Sequence, residues 1–203
     1  MTPPTTLPTL DEIRALHAKY APTPEALDAV LTHCEIVCGI AEQLMASAEL
    51  PLDADLVRAG ALLHDIGVYR LYDRDGRLDH RNYIRHGVLG HEILREEGYP
   101  ELLCRFCSCH TGVGLTRHDV RAQQLPLPEA DYLAVSAEEQ LVMYADKFHS
   151  KNPPRFYTAD AFAARVAKFG AQKVDAFDVL RARFGEPDLT TAAAQYGHAQ
   201  GRI

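Results

Sequence analysis

His64 and Asp65 are neighbours at the end of an apolar run, Gly60-Ala61-Leu62-Leu63. Helical side chains one residue apart diverge by about 100°, so this imidazole and carboxylate can grip one ion from adjacent coordination positions. Two more polar residues sit among apolar ones. His33 lies between Val30-Leu31 and Val37, and Asp146 lies within Leu141-Val142-Met143-Tyr144-Ala145-Asp146-Lys147-Phe148. A buried imidazole or carboxylate is costly unless it is paired or metal-bound. A hydrogen-bonded His–Asp pair would satisfy residues 64 and 65 alone. Polar groups on three apolar segments are satisfied most economically by one shared divalent ion. Such an ion lowers the pKa of water and supplies hydroxide at neutral pH, so the chemistry expected is metal-assisted hydrolysis with His64 and Asp65 at its centre. No serine or cysteine nucleophile is required.

Helical spacing must position these side chains. Leu27, Val30, Leu31, Cys34, Val37, Cys38, Ala41 and Leu44 recur at three-to-four spacing and predict a helix from Glu25 to about Glu49 that carries His33. A helix over 53–65, with Asp53 as N-cap and Gly67 as its stop, ends on His64 and Asp65. Ser136 and Glu139 fit a capping box for a helix over 136–150 that carries Asp146, and Thr9 and Glu12 fit another for a short helix to about Tyr20. Further helices are expected over 83–97, 101–110, 159–169 and 171–184, with a helical turn at 117–123. Residues 70–82 read as a polar loop and 186–203 as a loosely docked tail. Period-two β-branched runs are absent. The fold class expected is therefore all-α, a helical bundle with the metal site in its core, as a single domain over 1–203.

The order His33, His64-Asp65, Asp146 resembles that of the HD superfamily of metal-dependent phosphohydrolases, and His64-Asp65-Ile66-Gly67 resembles its HDIG subgroup. Arg85-His86-Gly87-Val88-Leu89-Gly90, Glu92-Ile93-Leu94, His110-Thr111-Gly112, Leu125-Pro126-Leu127-Pro128 and Tyr144-Ala145-Asp146-Lys147 extend the resemblance over about residues 25–151. It implies that His33, His64, Asp65 and Asp146 bind a first metal. By likeness to binuclear relatives, it also implies that His86 and His110 bind a second, with Asp65 bridging. His91, five residues from His86, is the competing candidate and points away from it. One or two divalent ions per chain are expected, from among Mn, Fe, Co, Ni, Zn and Mg. The implied activity is cleavage of a small phosphorylated metabolite, a nucleotide as phosphomonoester, diester or dinucleoside polyphosphate. Val68 stands where many HDIG proteins carry Lys, and no GYP motif is present, which argues against the HD-GYP kind of cyclic-dinucleotide phosphodiesterase. Two alternatives stay open: a di-iron HD-type oxygenase using the same six ligands, and a non-catalytic nucleotide-binding HD module.

Cations for the substrate are expected near the ligands, at Lys147, Arg70, Arg85 and Lys151, with His80 as a further pocket residue. His17, His118, His149 and His198 are read as surface residues. Cys104, Cys107 and Cys109 lack a second thiol pair for a structural zinc site and read as small core residues. The chain has 203 residues, 47% hydrophobic and 24% charged, with a net charge of −7. That balance fits a globular domain and argues against nucleic-acid binding, which needs a basic surface. No segment approaches 18 uninterrupted apolar residues, and the N-terminus lacks the pattern of a signal peptide, so no membrane partner and a cytoplasmic location are expected. Oligomeric state is open, a homodimer being one option.

Overall fold

The computed structural model describes residues 7–48 and 51–201. Several helices begin where the sequence offers caps. Thr9 and Glu12 close a capping box ahead of α1 (Leu10–Tyr20). Thr23 caps α2 (Pro24–Ser47), and Pro24 sits in its first turn, where a missing N–H costs nothing. The Asp53 carboxylate accepts from the amides of Asp55 and Leu56 and opens α3 (Ala54–Leu63). Then follow α4 (His86–Glu96), α5 (Glu101–Ser108), α6 (Arg117–Ala122) and α7 (Ala137–Ala145). Both α6 and α7 open on capping boxes.

The core forms where α2 packs on α3 and α7, and where α4 packs on α5. Val30, Cys34, Val37, Ala41 and Leu44 make the buried stripe of α2. This helix is long and apolar enough to cross a membrane, but its apolar stripe is buried in the bundle. Its expected end at Glu49 lies outside the described residues. All five cysteines are buried free thiols, which agrees with a packing role.

Several elements depart from expectation. The helix expected over 53–65 ends at Leu63, and Gly67 does not stop it. A 3-10 helix, Ile66–Leu71, follows, and Gly67 lies inside it. The glycine is needed for close approach: a Cβ there would stand 2.0 Å from the His86 carbonyl oxygen and 2.2 Å from the Gly90 nitrogen. Another 3-10 helix, His80–Arg85, is capped by Asp79 and leads into α4, so the expected start at residue 83 moves to His86.

The helix expected to reach Ser150 gives way after Ala145 to a 3-10 turn, Asp146–Phe148, and a strand, β1 (His149–Lys151). The break at Asn152-Pro153-Pro154 reverses the chain into β2 (Pro154–Tyr157), which pairs antiparallel with β1 and parallel with β3 (Ala199–Gly201). A helical bundle thus carries one small sheet whose strands are too short for their alternation to stand out in the sequence. After β2 come α8 (Ala159–Val166) and α9 (Ala171–Phe184), as expected. The tail is not loose over its described part. Leu189 is buried, α10 (Thr190–Tyr196) follows, and β3 docks on β2.

His17 is also not at the surface. Its ring is fully buried between the Leu62 carbonyl and the Tyr69 hydroxyl, each at 2.8 Å. A carbonyl only accepts, so Nε2–H donates to Leu62 and Nδ1 accepts from Tyr69. This pins α1 to the end of α3, and burial pushes the His17 pKa down to about 4.

Two outcomes follow. Gly67→Ala should lower stability by about 3 kcal/mol, read from urea denaturation, because a methyl there meets backbone that cannot give way. For His17, the unfolded chain takes up a proton below pH 6.5 that the folded protein refuses until about 4. Its contribution is therefore present above pH 6.5 and lost as pH falls through that window. His17→Gln should flatten the stability curve between those limits, and an unchanged slope would contradict the assignment.

Candidate metal centre

Four helix ends and one helix interior supply the centre. His33 comes from the middle of α2, His64 from the C-cap of α3, and Asp65 from the residue after it. His86 begins α4, His110 lies just past α5, and Asp146 caps α7. The imidazoles and Asp65 are buried, whereas the Asp146 side chain is 17% exposed. His64 still has helical dihedrals and Asp65 does not (φ −107°, ψ 9°), so the adjacent pair straddles the helix end.

Six of these side chains converge as two groups that share Asp65. In the first, His33 Nε2 lies 3.0 Å from Asp146 Oδ1, 3.2 Å from Asp65 Oδ2 and 3.3 Å from His64 Nε2. In the second, His86 Nε2 and His110 Nε2 lie 2.9 Å apart, at 3.4 and 3.6 Å from Asp65 Oδ1. Ligands held about 2.1 Å from one ion stand about 3.0–3.4 Å from each other, so both groups have the spacing of a coordination shell.

Hydrogen bonding makes the second group the sharper test. His86 Nδ1 donates to the Tyr83 carbonyl at 2.6 Å, and His110 Nδ1 donates to that of Phe106 at 3.1 Å. Burial, outweighing the pull of Asp65, drives the His86 pKa down to about 3, and burial also lowers that of His110. Both rings are therefore neutral, with bare Nε2 lone pairs facing each other. Burial alone would push the Asp65 carboxyl up, but the Lys151 ammonium and the imidazoles around it outweigh that and hold it well below the usual range. Its Oδ1 has no hydrogen-bond partner. Three acceptors thus meet at one buried point with no donor, an arrangement that a cation relieves.

The expected cations divide. The Lys151 ammonium ion-pairs with Asp65 Oδ2 and lies 5.4 Å from the centre of the Tyr83 ring. Burial works against its charge, and Asp65, with Tyr83 and Asp146, more than offsets this and raises its pKa. Lys147 is buried, donating to the His110 carbonyl at 2.8 Å and to Asp146 Oδ2 at 2.7 Å, so its ammonium is used inside the centre. Arg70 is turned away, paired with Glu92 and Glu96. Arg85 is exposed and lies outside the cleft. His80 lines that cleft, which measures about 500 Å³ and also reaches His33, Asp146 and Lys151. His91 is directed to Ser108 and Glu101, away from His86.

Other residues were not expected at the cleft. Tyr72, Tyr83, Tyr157, Phe162 and Arg165 line it, with the Arg165 guanidinium stacked on Tyr157. The aromatic residues flanking Lys151 and the 80–85 segment carry no spacing signal of their own. His149, expected at the surface, is buried against His33, and burial with its two histidine neighbours lowers its pKa to about 2. His198 is half-buried against it, while His118 is exposed as expected.

Comparison with known proteins extends the picture. Residues 30–151 match the HD domain family. An uncharacterised protein of Methanocaldococcus jannaschii is 39% identical over 120 residues, which are 58% of this chain and 64% of that protein. A tRNA (cytidine(56)-2'-O)-methyltransferase of Picrophilus torridus is 37% identical over 123 residues, 61% of this chain and 32% of that enzyme. The chain thus aligns with less than two thirds of the length of these curated relatives. Among solved structures, the HD domain of the L. monocytogenes phosphodiesterase PgpH, in complex with cyclic-di-AMP, has a TM-score of 0.50 at 18% identity, covering 94% of this chain and 98% of that one. At that identity the likeness is one of fold.

Lys147→Met keeps the aliphatic stem but leaves Asp146 Oδ2 and the His110 carbonyl without their shared donor. It should cost about 3 kcal/mol, a fall of about 10 °C in melting temperature by calorimetry. A shift of about 2 °C or less would show that the ammonium contributes little here.

Proposed function

Because the chain belongs to the HD domain family, we propose that it is a metal-dependent phosphohydrolase acting on a small phosphorylated metabolite of the nucleotide class. One observation carries this reading: Asp65 offers one oxygen to each of two donor groups, and its Oδ1 meets two neutral imidazoles with no hydrogen between them. His33, His64, Asp65 and Asp146 would hold one divalent ion, and Asp65, His86 and His110 a second. Ions bound there supply Lewis acidity and water of lowered pKa, which hydrolysis of a phosphate ester requires.

The chain's own residues do the rest. Lys151 brings a permanent positive charge into the cleft beside Asp65, where it can neutralise a phosphoryl oxygen. Lys147 ties Asp146 to the His110 backbone and so holds the two groups together. A cleft of about 500 Å³ is of small-molecule size. Tyr72, Tyr83, Tyr157 and Phe162 give the cleft aromatic walls against which a base can pack, and Arg165 adds a second cation. A nucleotide is also what the L. monocytogenes domain of like fold holds. The net charge of −7 favours a small substrate met by local cations over a long nucleic acid.

Metal analysis, followed by a phosphate-release screen over nucleotides with Mn, Fe, Co, Ni, Zn and Mg, tests the reading. Two ions per chain and turnover are expected. His110→Ala should retain one ion, and Asp65→Ala should lose metal and activity while keeping its helical circular dichroism. Lys151→Ala should lower kcat/KM by about 100-fold. Full activity in Asp65→Ala would overturn the mechanism.

A further inference from the structure

The imidazoles of the centre are not all aimed in the same way. His64, His86 and His110 each give Nδ1 to a main-chain carbonyl, those of Ala61, Tyr83 and Phe106. A carbonyl can only accept, so each of these Nδ1 atoms carries a proton, and a neutral ring then presents its lone pair at Nε2. His33 has no such carbonyl. Its Nδ1 lies 2.9 Å from His149 Nδ1, and His149 Nε2 lies 3.0 Å from His198 Nδ1. The three rings stack in file, with centroids 5.2 Å apart at each step and interplanar angles of 26° and 16°.

An imidazole can donate or accept, so this file has a direction only if its members agree. A bare His33 Nε2 requires a proton on His33 Nδ1, which needs a bare His149 Nδ1. His149 then carries its proton on Nε2 and donates to a bare His198 Nδ1. The opposite polarity would place a proton on His33 Nε2, among the carboxylates of Asp65 and Asp146, where it would exclude an ion.

We propose that His149 and His198 are positioning residues for His33, so that the C-terminal tail completes the metal centre. This rests on reading the centre as metal-binding. His149 stands on β1, opposite Phe156 of β2. His198 immediately precedes β3, whose pairing with β2 brings the tail to the site. His198 lies beyond the stretch that matches the HD domain family, which ends at residue 151. The device therefore joins His149, inside that match, to His198, outside it. Docking of the tail and orientation of His33 become one event.

Co²⁺ titration of the full chain, read by its visible absorption spectrum and by affinity, tests this, with thermal melting as the control for folding. His149→Phe should weaken Co²⁺ binding by about 10- to 100-fold and alter the spectrum. His149→Asn, whose amide oxygen can accept from His33 Nδ1 and whose NH₂ can donate onward, should recover most of the affinity. His198→Ala should weaken binding several-fold with little change in melting temperature. Wild-type affinity and spectrum in His198→Ala and His149→Phe would overturn the proposal, as would equal losses in the Asn and Phe variants. If His149→Phe does not fold, His198→Ala and His149→Asn decide. Tight Co²⁺ binding by the wild type with no effect of the variants would remove this inference alone. No Co²⁺ binding by the wild type would remove the metal reading with it.

Discussion

A single buried carboxylate is placed between two sets of acceptors. Asp65 turns Oδ2 toward His33 and His64, which also meet Asp146, and Oδ1 toward His86 and His110. Within that volume the groups able to accept outnumber those able to donate, and the imbalance would destabilise the core without positive charge nearby. Much of the architecture serves to tolerate it. Lys151 reaches in from β1, Lys147 ties the end of α7 to the end of α5, and Gly67 lets the segment after Asp65 lie directly on α4.

Helix ends explain how so many imidazoles are aimed at one point. The last carbonyls of a helix have no partner within it. In α3 and α5 such carbonyls, at Ala61 and Phe106, accept from the Nδ1 of His64 and His110. One set of contacts thus satisfies orphan backbone groups, fixes the Nδ1 protons and directs the Nε2 atoms inward. Bringing these ends together requires close helix crossings. Gly60 lies under the Phe106 ring, where a Cβ would be 2.3 Å from it, and Gly90 packs against Cys107. Bidentate pairing of Arg105 with buried Glu139 then clamps α5 to the start of α7.

The lysines on either side of the centre differ in task because they differ in surroundings. Lys147 meets a main-chain carbonyl and Asp146 within the packed interior and is held there. Lys151 meets Asp65 at the wall of a cleft that also contains tyrosine rings and Arg165. Charge held inside the centre and charge facing the cleft are therefore separated by four residues.

Much of this was legible in the amino-acid order. The stripe of α2, the caps at Thr9, Asp53 and Ser136, and the apolar run ending in His64-Asp65 depend on dihedrals and on a period of about 3.6 residues, which neighbours in sequence decide. The grouping of His33 and Asp146 with the 64–65 pair was legible from their apolar surroundings, and that of His86 and His110 through resemblance to a family. What only the tertiary structure decided are contacts between residues far apart in the chain. His149 sits beside Ser150 and Lys151 in sequence and reads as exposed, yet strand pairing buries it on His33, 116 residues away. Arg70 and Lys151 read alike as nearby cations, but one is drawn off by Glu92 and Glu96 on α4 while the other meets Asp65. The tail reads as loose because its anchor β3 gains its hydrogen bonds from β2, which precedes it by about forty residues. Local order sets which face a side chain occupies, and packing of distant segments sets what that face meets.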